Sequence, residues 1–307
     1  MKRLVLTSAL ALSTLCFSTP LYAAIPPPLP NPSSSFRAGS IRVDVYGTPG
    51  KQSLIFIPGL TCGPWEWSGE IAQAAPSYTI YALTLPGFDG NPGVQAHPFE
   101  TVSVDFWKML VQHTITKPIL IGHSLGGTLG IMLAEQHSDR LRGVIAVDGL
   151  PVFPGSERQS LQERTAGAQR FGAMLSSIST PQQFELAEKT YSLPYMMTSK
   201  DDVASAARLS AKTDPKASGA WAAEDFTLDL RPQLNNVHVP ILEIGPYDPV
   251  LEKTLFHDAA EKQAYYASLL SNDATARIEI VEDSRHFIMY DQPGRLHAAL
   301  ATFLQTL

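Results

Sequence analysis

The chain has 307 residues, which is enough to bury one large core or two modest ones. Its content of 44% hydrophobic and 17% charged residues is typical of globular proteins and excludes a disordered chain. The formal net charge is −6 and no block of Lys and Arg stands out, which argues against nucleic acid as a partner because such binding depends on clustered cations.

The beginning of the chain predicts a secretory signal peptide over residues 1–24. Two cations precede an apolar segment, residues 4–17, which is too short to span a bilayer comfortably, and the small residues Ala23 and Ala24 follow as a cleavage site. An uncleaved anchor helix is the alternative. We therefore expect a periplasmic or secreted protein without stable membrane insertion after the signal is removed. Cys62 would then be the only cysteine, which excludes an internal disulfide.

The next segment, residues 25–38, is rich in Pro and Ser, and this composition predicts an extended tether. From residue 39 onward, short apolar runs alternate with amphipathic stretches of helix length. This alternation is typical of an α/β fold with a mostly parallel central sheet flanked by helices. The predicted strands are residues 41–46, 53–57, 78–83, 118–121, 144–147, 241–244 and 277–281, and the clearest helices are residues 101–116, 125–136, 255–270 and 294–304.

One region interrupts the alternation. Residues 151–233 contain no convincing strand but several helix-like segments with large apolar side chains. We predict a helical insertion that covers the sheet, with residues 39–150 and 234–307 forming the core domain. The alternative is a set of ordinary surface helices with a small core of their own.

The stretch from Gly122 to Gly126, with Ser124 at its centre, fits the pattern G-x-S-x-G between a predicted strand and a predicted helix. In this context the pattern predicts a tight turn that exposes a serine hydroxyl at the positive end of the helix. A helix-capping role would explain Ser124 alone but not the paired glycines. Ser124 is therefore a candidate nucleophile.

A serine nucleophile needs a base, and the base needs a carboxylate that orients it. His286 follows the last predicted strand and precedes the C-terminal helix, which makes it the candidate base. Asp248 and Asp148 each follow a predicted strand. Asp248 is favoured because the chain order Ser, acid, His is the one expected with this serine motif. Asp148 stays open as the alternative.

Three stretches, LIGHSLGGTLG, ILEIGPYDP and RHFIMYDQP, resemble the signatures of the α/β-hydrolase fold superfamily in its serine-nucleophile, esterase- and lipase-like branch. The resemblance extends from residue 41 to the C-terminus and makes the insertion a cap. It implies that Ser124 is the nucleophile, His286 the base and Asp248 the acid.

The resemblance also implies an oxyanion hole formed by the backbone N–H groups of Leu60 and Leu125. Relatives usually carry His-Gly before the first of these donors, whereas this chain has Pro58-Gly59, which leaves the support of the loop open. Trp65 and Trp67 either line the entrance to the site or cover the core.

The expected activity is that of a secreted serine hydrolase that cleaves a small carboxylic ester through an acyl-enzyme. We expect no cofactor and no metal, since no metal-ligating motif or glycine-rich phosphate loop is present. Other reactions that reuse the same triad are amide or peptide hydrolysis, C–C bond hydrolysis, and lyase or cofactor-free peroxidase chemistry. A ligand-binding protein with a vestigial triad is the alternative from outside enzymology.

Overall fold

The computed structural model describes residues 27–94 and 96–307. The predicted signal peptide, residues 1–24, lies outside these residues. The eight strands are β1 Ser34–Ala38, β2 Ile41–Gly47, β3 Ser53–Ile57, β4 Thr79–Thr84, β5 Ile119–His123, β6 Gly143–Val147, β7 Ile241–Tyr247 and β8 Arg277–Glu282.

Helices follow most strands. They are α1 Ser68–Ala74, α2 Pro98–Gln112, α3 Leu125–His137, α4 Leu161–Ser176, α5 Pro181–Ala187, α6 Lys200–Ser210, α7 Pro215–Asp225, α8 Pro249–Glu252, α9 Ala259–Leu269, α10 Ile288–Asp291 and α11 Pro293–Leu304. The predicted elements therefore form, with ends displaced by a few residues.

The strands form one sheet in the order β1-β2-β4-β3-β5-β6-β7-β8. The pairs β1–β2 and β2–β4 are antiparallel, and the remaining five pairs are parallel. The mostly parallel α/β sheet predicted from the sequence is confirmed. Strands β5, β6 and β7 are buried along their whole length because helices cover both faces of the sheet.

The first strand corrects the prediction of a tether over residues 25–38. Ser34–Ala38 pairs with β2, and its register places Ser34 opposite Val45 and Ala38 opposite Ile41. The described residues that precede this strand, residues 27–33, are rich in proline and form no helix or strand. The proline density suggested an unpaired segment, but the prolines stop at Pro32 and leave the next backbone N–H groups free to pair.

The insertion between β6 and β7 contains helices α4 to α7. Helix α4 begins with a capping box in which Ser160 accepts from the backbone of Glu163 and the Glu163 carboxylate accepts from the backbone of Ser160. Helix α7 is anchored to the core domain by Trp221, which is fully buried and donates from Nε1 to the carbonyl oxygen of Pro86 at 3.0 Å. The cap is therefore held against the core at its C-terminal helix.

The parallel order of the sheet positions the site. The carboxyl ends of β3, β5, β6, β7 and β8 lie at one edge, where loops carry the candidate residues of the site. The cap lies between β6 and β7 in the sequence and covers this same edge, since its residues line a cavity together with Ser124 and His286.

Candidate active site

Ser124 lies in a sharp turn between β5 and α3. Its φ of 51° is in the left-handed region, an unfavourable conformation for a residue with a side chain. A Cβ atom at Gly122 would collide with the backbone of Gly126, and a Cβ atom at Gly126 would collide with the carbonyl oxygen of Ile57. Glycine is required on both sides of the serine, as the G-x-S-x-G pattern predicts.

The helix after the serine adds an electrostatic contribution. Leu125 is the first residue of α3, so its N–H group has no acceptor within the helix, and the helix dipole places partial positive charge beside Ser124. Among the described residues the Ser124 hydroxyl forms no hydrogen bond. Catalytic hydrogen bonds in ligand-free sites are commonly long and shorten when substrate binds.

His286 follows β8 and is oriented by a carboxylate. Its Nδ1 atom lies 2.5 Å from Oδ2 of Asp148, the residue that directly follows β6. Since Nδ1 carries the proton that Asp148 accepts, Nε2 is the ring nitrogen that can act as a base. Ser124, Asp148 and His286 all line the same cavity.

Asp248 was predicted to orient His286, and that prediction is wrong. Its Oδ2 atom lies 2.6 Å from Nε of Arg285, and its Oδ1 atom accepts from the backbone of Val250 at 2.8 Å, which caps α8. Asp248 is not among the residues that line the cavity with Ser124. The alternative left open by the sequence, Asp148, occupies the position beside the histidine.

Two adjacent side chains explain why Asp148, and not Asp248, orients the histidine. The Arg285 guanidinium binds the carboxylate after β7, which is Asp248. The His286 imidazole binds the carboxylate after β6, which is Asp148. The chain order Ser, acid, His could not separate the two candidates because both aspartates lie between Ser124 and His286. The signal that sequence reasoning missed is the arginine immediately before the histidine.

Arg285 also connects the histidine loop to the cap. Its Nη1 group donates to the carbonyl oxygens of Pro194 at 2.7 Å and Met197 at 2.9 Å. The backbone N–H of Phe287, on the other side of His286, donates to the carbonyl oxygen of Met196 at 3.0 Å. The cap segment that contains Pro194 and Met197 is thus bonded to both neighbours of His286.

Asp148 is held in place by more than the histidine. Tyr266 donates its hydroxyl to Oδ1 of Asp148 at 2.6 Å, and the backbone N–H of Asp148 donates to the carbonyl oxygen of Ile244 at 2.9 Å. Burial alone would raise the pKa of Asp148, but the hydrogen bond and charge of His286, the charge of Lys262 and the Tyr266 hydroxyl lower this pKa to about 2. The carboxylate is ionised throughout the neutral pH range.

For the pKa of His286, unlike that of Asp148, the effect of burial outweighs that of the hydrogen-bonded partner. Burial lowers the pKa of His286, and the neighbouring His123 lowers it further, whereas Asp148 and Glu66 raise it. The net direction is downward from the ordinary value of 6.5, so the imidazole is neutral at pH 7 and can accept a proton.

The loop after β3 carries Leu60, the other predicted oxyanion donor. The preceding N–H, that of Gly59, donates to Oε1 of Glu66 at 3.0 Å. The other oxygen of Glu66 lies 3.2 Å from Nδ1 of His123, whose Nε2 lies 3.1 Å from the carbonyl oxygen of His286. Glu66 and His123 are each 1% exposed.

These contacts explain how the loop that carries Pro58-Gly59 is supported. The buried pair of Glu66 and His123 supports the loop of Leu60, which has Pro58-Gly59 in place of the His-Gly expected from the resemblance. The same pair also fixes the backbone of His286 through its carbonyl oxygen. Neither contact is visible in the sequence, because Glu66 lies 57 residues from His123.

Two further predictions concern residues near this loop. Trp67 is fully buried and donates from Nε1 to the carbonyl oxygen of Ile57 at 3.3 Å, and Trp65 is 8% exposed. Both belong to the core and neither is among the residues that line the cavity of Ser124. Cys62 is a free, buried thiol whose pKa is raised by burial and by Glu66.

The comparisons with known proteins agree with this geometry. Residues 54–299 match the Alpha/beta hydrolase family. The chain belongs to the alpha/beta hydrolase family. The predicted superfamily is therefore confirmed.

One curated relative of this hydrolase-family chain is 2-succinyl-6-hydroxy-2,4-cyclohexadiene-1-carboxylate synthase of Escherichia coli O1:K1 / APEC. It is 32% identical over 128 residues, which are 41% of this chain and 50% of the relative. The match therefore spans about half the length of that protein.

Solved structures share the fold at low sequence identity. A thermophilic esterase from Thermogutta terrifontis superposes with a TM-score of 0.71 at 16% identity, covering 89% of this chain and 99% of the esterase. The enol-lactonase from Burkholderia xenovorans LB400 gives a TM-score of 0.67 at 17% identity, covering 89% of this chain and 100% of the lactonase. At these identities the likeness concerns the fold alone.

Across residues 27–94 and 96–307, no three or more His, Cys, Asp and Glu side chains are grouped so that they could hold a metal ion. Within the same ranges, no helix has the length and apolar character needed to cross a membrane.

Proposed function

We propose that this chain is a serine hydrolase that cleaves carboxylic esters. The observation that supports this most directly is the hydrogen bond between Asp148 and His286 in the cavity that Ser124 also lines. The proposed acid is Asp148, in place of the residue favoured by the sequence. A strained serine and an imidazole hydrogen-bonded to a carboxylate, all lining one cavity, are the parts of a Ser-His-Asp triad.

The reaction would proceed in two halves. Ser124 Oγ attacks the ester carbonyl while Nε2 of His286 takes its proton, and the protonated imidazole, stabilised by Asp148, then gives the proton to the leaving alcohol. This step leaves an acyl group on Ser124. Water, deprotonated by the same nitrogen, releases the acid and restores the serine.

The negative charge that develops on the carbonyl oxygen needs preorganised donors. We assign this role to the backbone N–H groups of Leu60 and Leu125. Each such donor is worth roughly 3 kcal/mol of transition-state stabilisation in comparable enzymes. The support of the Leu60 loop by Glu66, through Gly59, fits this assignment.

The first test is hydrolysis of p-nitrophenyl butyrate by the purified protein and by Ser124→Ala. The wild-type protein is expected to release nitrophenol in a saturable manner, and the variant is expected to lose this activity while keeping the same unfolding temperature. Equal rates for the two proteins, or no turnover of esters, thioesters and amides by the wild type, would contradict the proposal.

The similarity to the synthase favours a second candidate, a lyase that acts with the same serine and histidine. The product in that protein's name is a carboxylate. The cavity described here contains Lys262 as its one lysine and no arginine among the described residues that line it, and Lys262 is already paired with Glu252 at 2.6 Å. This arrangement offers a carboxylate substrate no free cation, so we rank ester hydrolysis first.

Export remains a proposal that rests on the N-terminal sequence. We propose that residues 1–24 direct the protein to the periplasm or the medium and are removed. The mass of the mature N-terminal peptide after expression in a bacterial host would test this. A start near residue 25 supports export, and an intact N-terminus in the cytoplasmic fraction contradicts it.

A further inference from the structure

The cavity above Ser124 is larger than a small ester requires. Its volume is about 1290 Å³, whereas pockets for small molecules commonly measure about 300–1,000 Å³. The core contributes the floor, with Ser124 and His286, and the cap contributes much of the wall. The size of the cavity is therefore set by the cap, the part of the chain on which sequence reasoning was least informative.

The wall is predominantly apolar. Its aliphatic and aromatic side chains come from the loop after β6, from α4 and the turn that follows it, and from the segment after α5, and they include Leu150, Val152, Phe171, Leu175, Ile178 and Leu193. Such a wall binds a ligand mainly by removing apolar surface from water. Each methylene group of a ligand that becomes buried here is worth up to about fourfold in affinity.

The charged groups that line the cavity are unfavourable for anions. Four of them are carboxyl groups, those of Asp148, Glu188, Asp225 and Glu252, and the one lysine is engaged with Glu252. Burial raises the pKa of both Glu188 and Asp225 to about 7, which reflects how poorly this environment supports negative charge. An anionic ligand would meet no free cation in surroundings that already disfavour negative charge.

The mouth of the cavity is also apolar. Eleven large apolar side chains are exposed among the described residues, and five of these line this cavity: Phe153, Met174, Tyr191, Tyr195 and Leu255. Tyr191 is 77% exposed and Leu255 is 73% exposed. Apolar side chains clustered at an opening mark a binding surface, whereas isolated ones need no explanation.

We propose that this cavity takes uncharged esters with a large apolar acyl or alcohol group, whose distal part lies against the exposed rim of Phe153, Met174, Tyr191, Tyr195 and Leu255. The proposal rests on the proposed function and adds the class of substrate. Short esters would fill only the part of the cavity near Ser124, and esters that carry a free carboxylate would find no free cation in the lining.

A series of p-nitrophenyl esters tests the size preference. With acetate, butyrate, octanoate and dodecanoate, each below its critical micelle concentration, kcat/KM is expected to rise at least tenfold from butyrate to octanoate. The charge preference is tested with the mono-p-nitrophenyl ester of succinic acid, which is expected to react at least tenfold more slowly than the butyrate. A flat or falling series, or equal rates for the charged and uncharged esters, would overturn the proposal.

Rim variants test the location. Tyr191→Ser and Leu255→Ser are each expected to lower kcat/KM for octanoate at least threefold more than kcat/KM for acetate. Leu186→Ser is the matched control, because Leu186 is 63% exposed on the cap that also carries Tyr191 but is not among the cavity-lining residues. The control should leave both values unchanged. Loss of chain-length preference in the control, or its retention in both rim variants, would contradict this location.

Failure of the substrate class can be distinguished from failure of the proposed function. A fluorophosphonate with a short alkyl group reacts with an activated serine whatever the preferred acyl chain. Labelling of Ser124 together with a preference for short or anionic esters would overturn only the substrate class. Absence of labelling would overturn the proposed function itself.

Discussion

Asp148 and His286 are joined by a contact of 2.5 Å between Oδ2 and Nδ1, although 138 residues separate them in the chain. The aspartate follows β6 and the histidine follows β8, and strand β7 lies between these two strands in the sheet. The carboxylate after β7, Asp248, binds the neighbour of the histidine instead. The site therefore contains two aspartate-bonded side chains next to each other in the sequence, Arg285 and His286, and only His286 is the candidate base.

The two aspartates should differ in their effects on activity. Asp148→Asn leaves the imidazole without its anionic partner and is expected to lower kcat/KM for a p-nitrophenyl ester by roughly 1,000-fold or more. Asp248→Asn removes a partner of Arg285 and is expected to cost less than about tenfold, with most of its effect on the unfolding temperature. A loss in Asp248→Asn equal to that in Asp148→Asn would contradict the assignment of the acid.

The pH dependence of kcat/KM should follow the histidine. Because the pKa of His286 is lowered, the neutral base is populated at lower pH than usual, and activity should rise through a pKa below 6.5 and reach a plateau by neutral pH. Asp148, with a pKa of about 2, stays ionised across this range and adds no second step. A rate profile measured from pH 4.5 to 8.5 with an uncharged ester tests this, and an acid limb centred well above 6.5 would contradict it.

Tyr266 should act through Asp148 and not on substrate. Tyr266→Phe removes the hydroxyl that donates to Oδ1 and is expected to lower kcat about three- to tenfold, in line with the loss of one hydrogen bond worth about 0.5–1.5 kcal/mol, with little change in KM. The neighbouring Tyr265→Phe provides a control, since Tyr265 donates to Glu157 at 3.1 Å and has no contact with Asp148. Equal losses in the two variants would show that Tyr266 has no special part in positioning the acid.

The buried Glu66 should support the oxyanion loop. Glu66→Ala removes the acceptors of Gly59 and His123 and is expected to lower kcat roughly 10- to 100-fold, because the Leu60 donor loses its position. Glu66→Gln keeps one acceptor oxygen for Gly59 and should lose less. Glu70→Ala is the control: Glu70 is also buried and pairs with His297, so the change should lower the unfolding temperature with little change in kcat. Unchanged kcat in Glu66→Ala would contradict this role.

Glu135 should make stability depend on pH. Burial raises the pKa of Glu135 from 4.5 to about 8, so the folded protein holds this proton more tightly than the unfolded chain. Its contribution is therefore fully present below pH 4.5 and is lost as pH rises toward 8. Glu135→Gln is expected to raise the unfolding temperature by about 2 °C at pH 8.5 and to leave it unchanged at pH 4.5. Glu100→Gln, at an exposed position of α2, should show neither effect, and a gain that is the same at both pH values would contradict the prediction.

The sheet could be predicted because its strands are short, apolar and buried on both faces. Strands β5 and β6 read as continuous apolar runs, and the glycines around Ser124 mark the turn between β5 and α3. Strand β1 was missed because Ser34–Ala38 is an edge strand with mostly exposed side chains, so it lacks an apolar pattern. Its pairing depends on the backbone of β2, which a one-dimensional pattern does not contain.

The site could be predicted in part. Ser124 and His286 are marked by local motifs, and the structure brings them to one cavity. The acid could not be assigned from the sequence, because the assignment depends on whether each carboxylate contacts His286 or its neighbour. Arg285 binds Asp248. Glu66 was missed for a similar reason, since its contact with His123 joins two loops through the buried interior.

Activation of the serine is tested by the intact mass of the protein after reaction with a fluorophosphonate probe, followed by mapping of the labelled peptide. We expect one adduct, on Ser124, that forms rapidly in the wild type and in Asp248→Asn, slowly in Asp148→Asn, and not at all in Ser124→Ala. An unlabelled wild-type protein, or an adduct on another residue, would contradict the claim that Asp148 and His286 activate this serine.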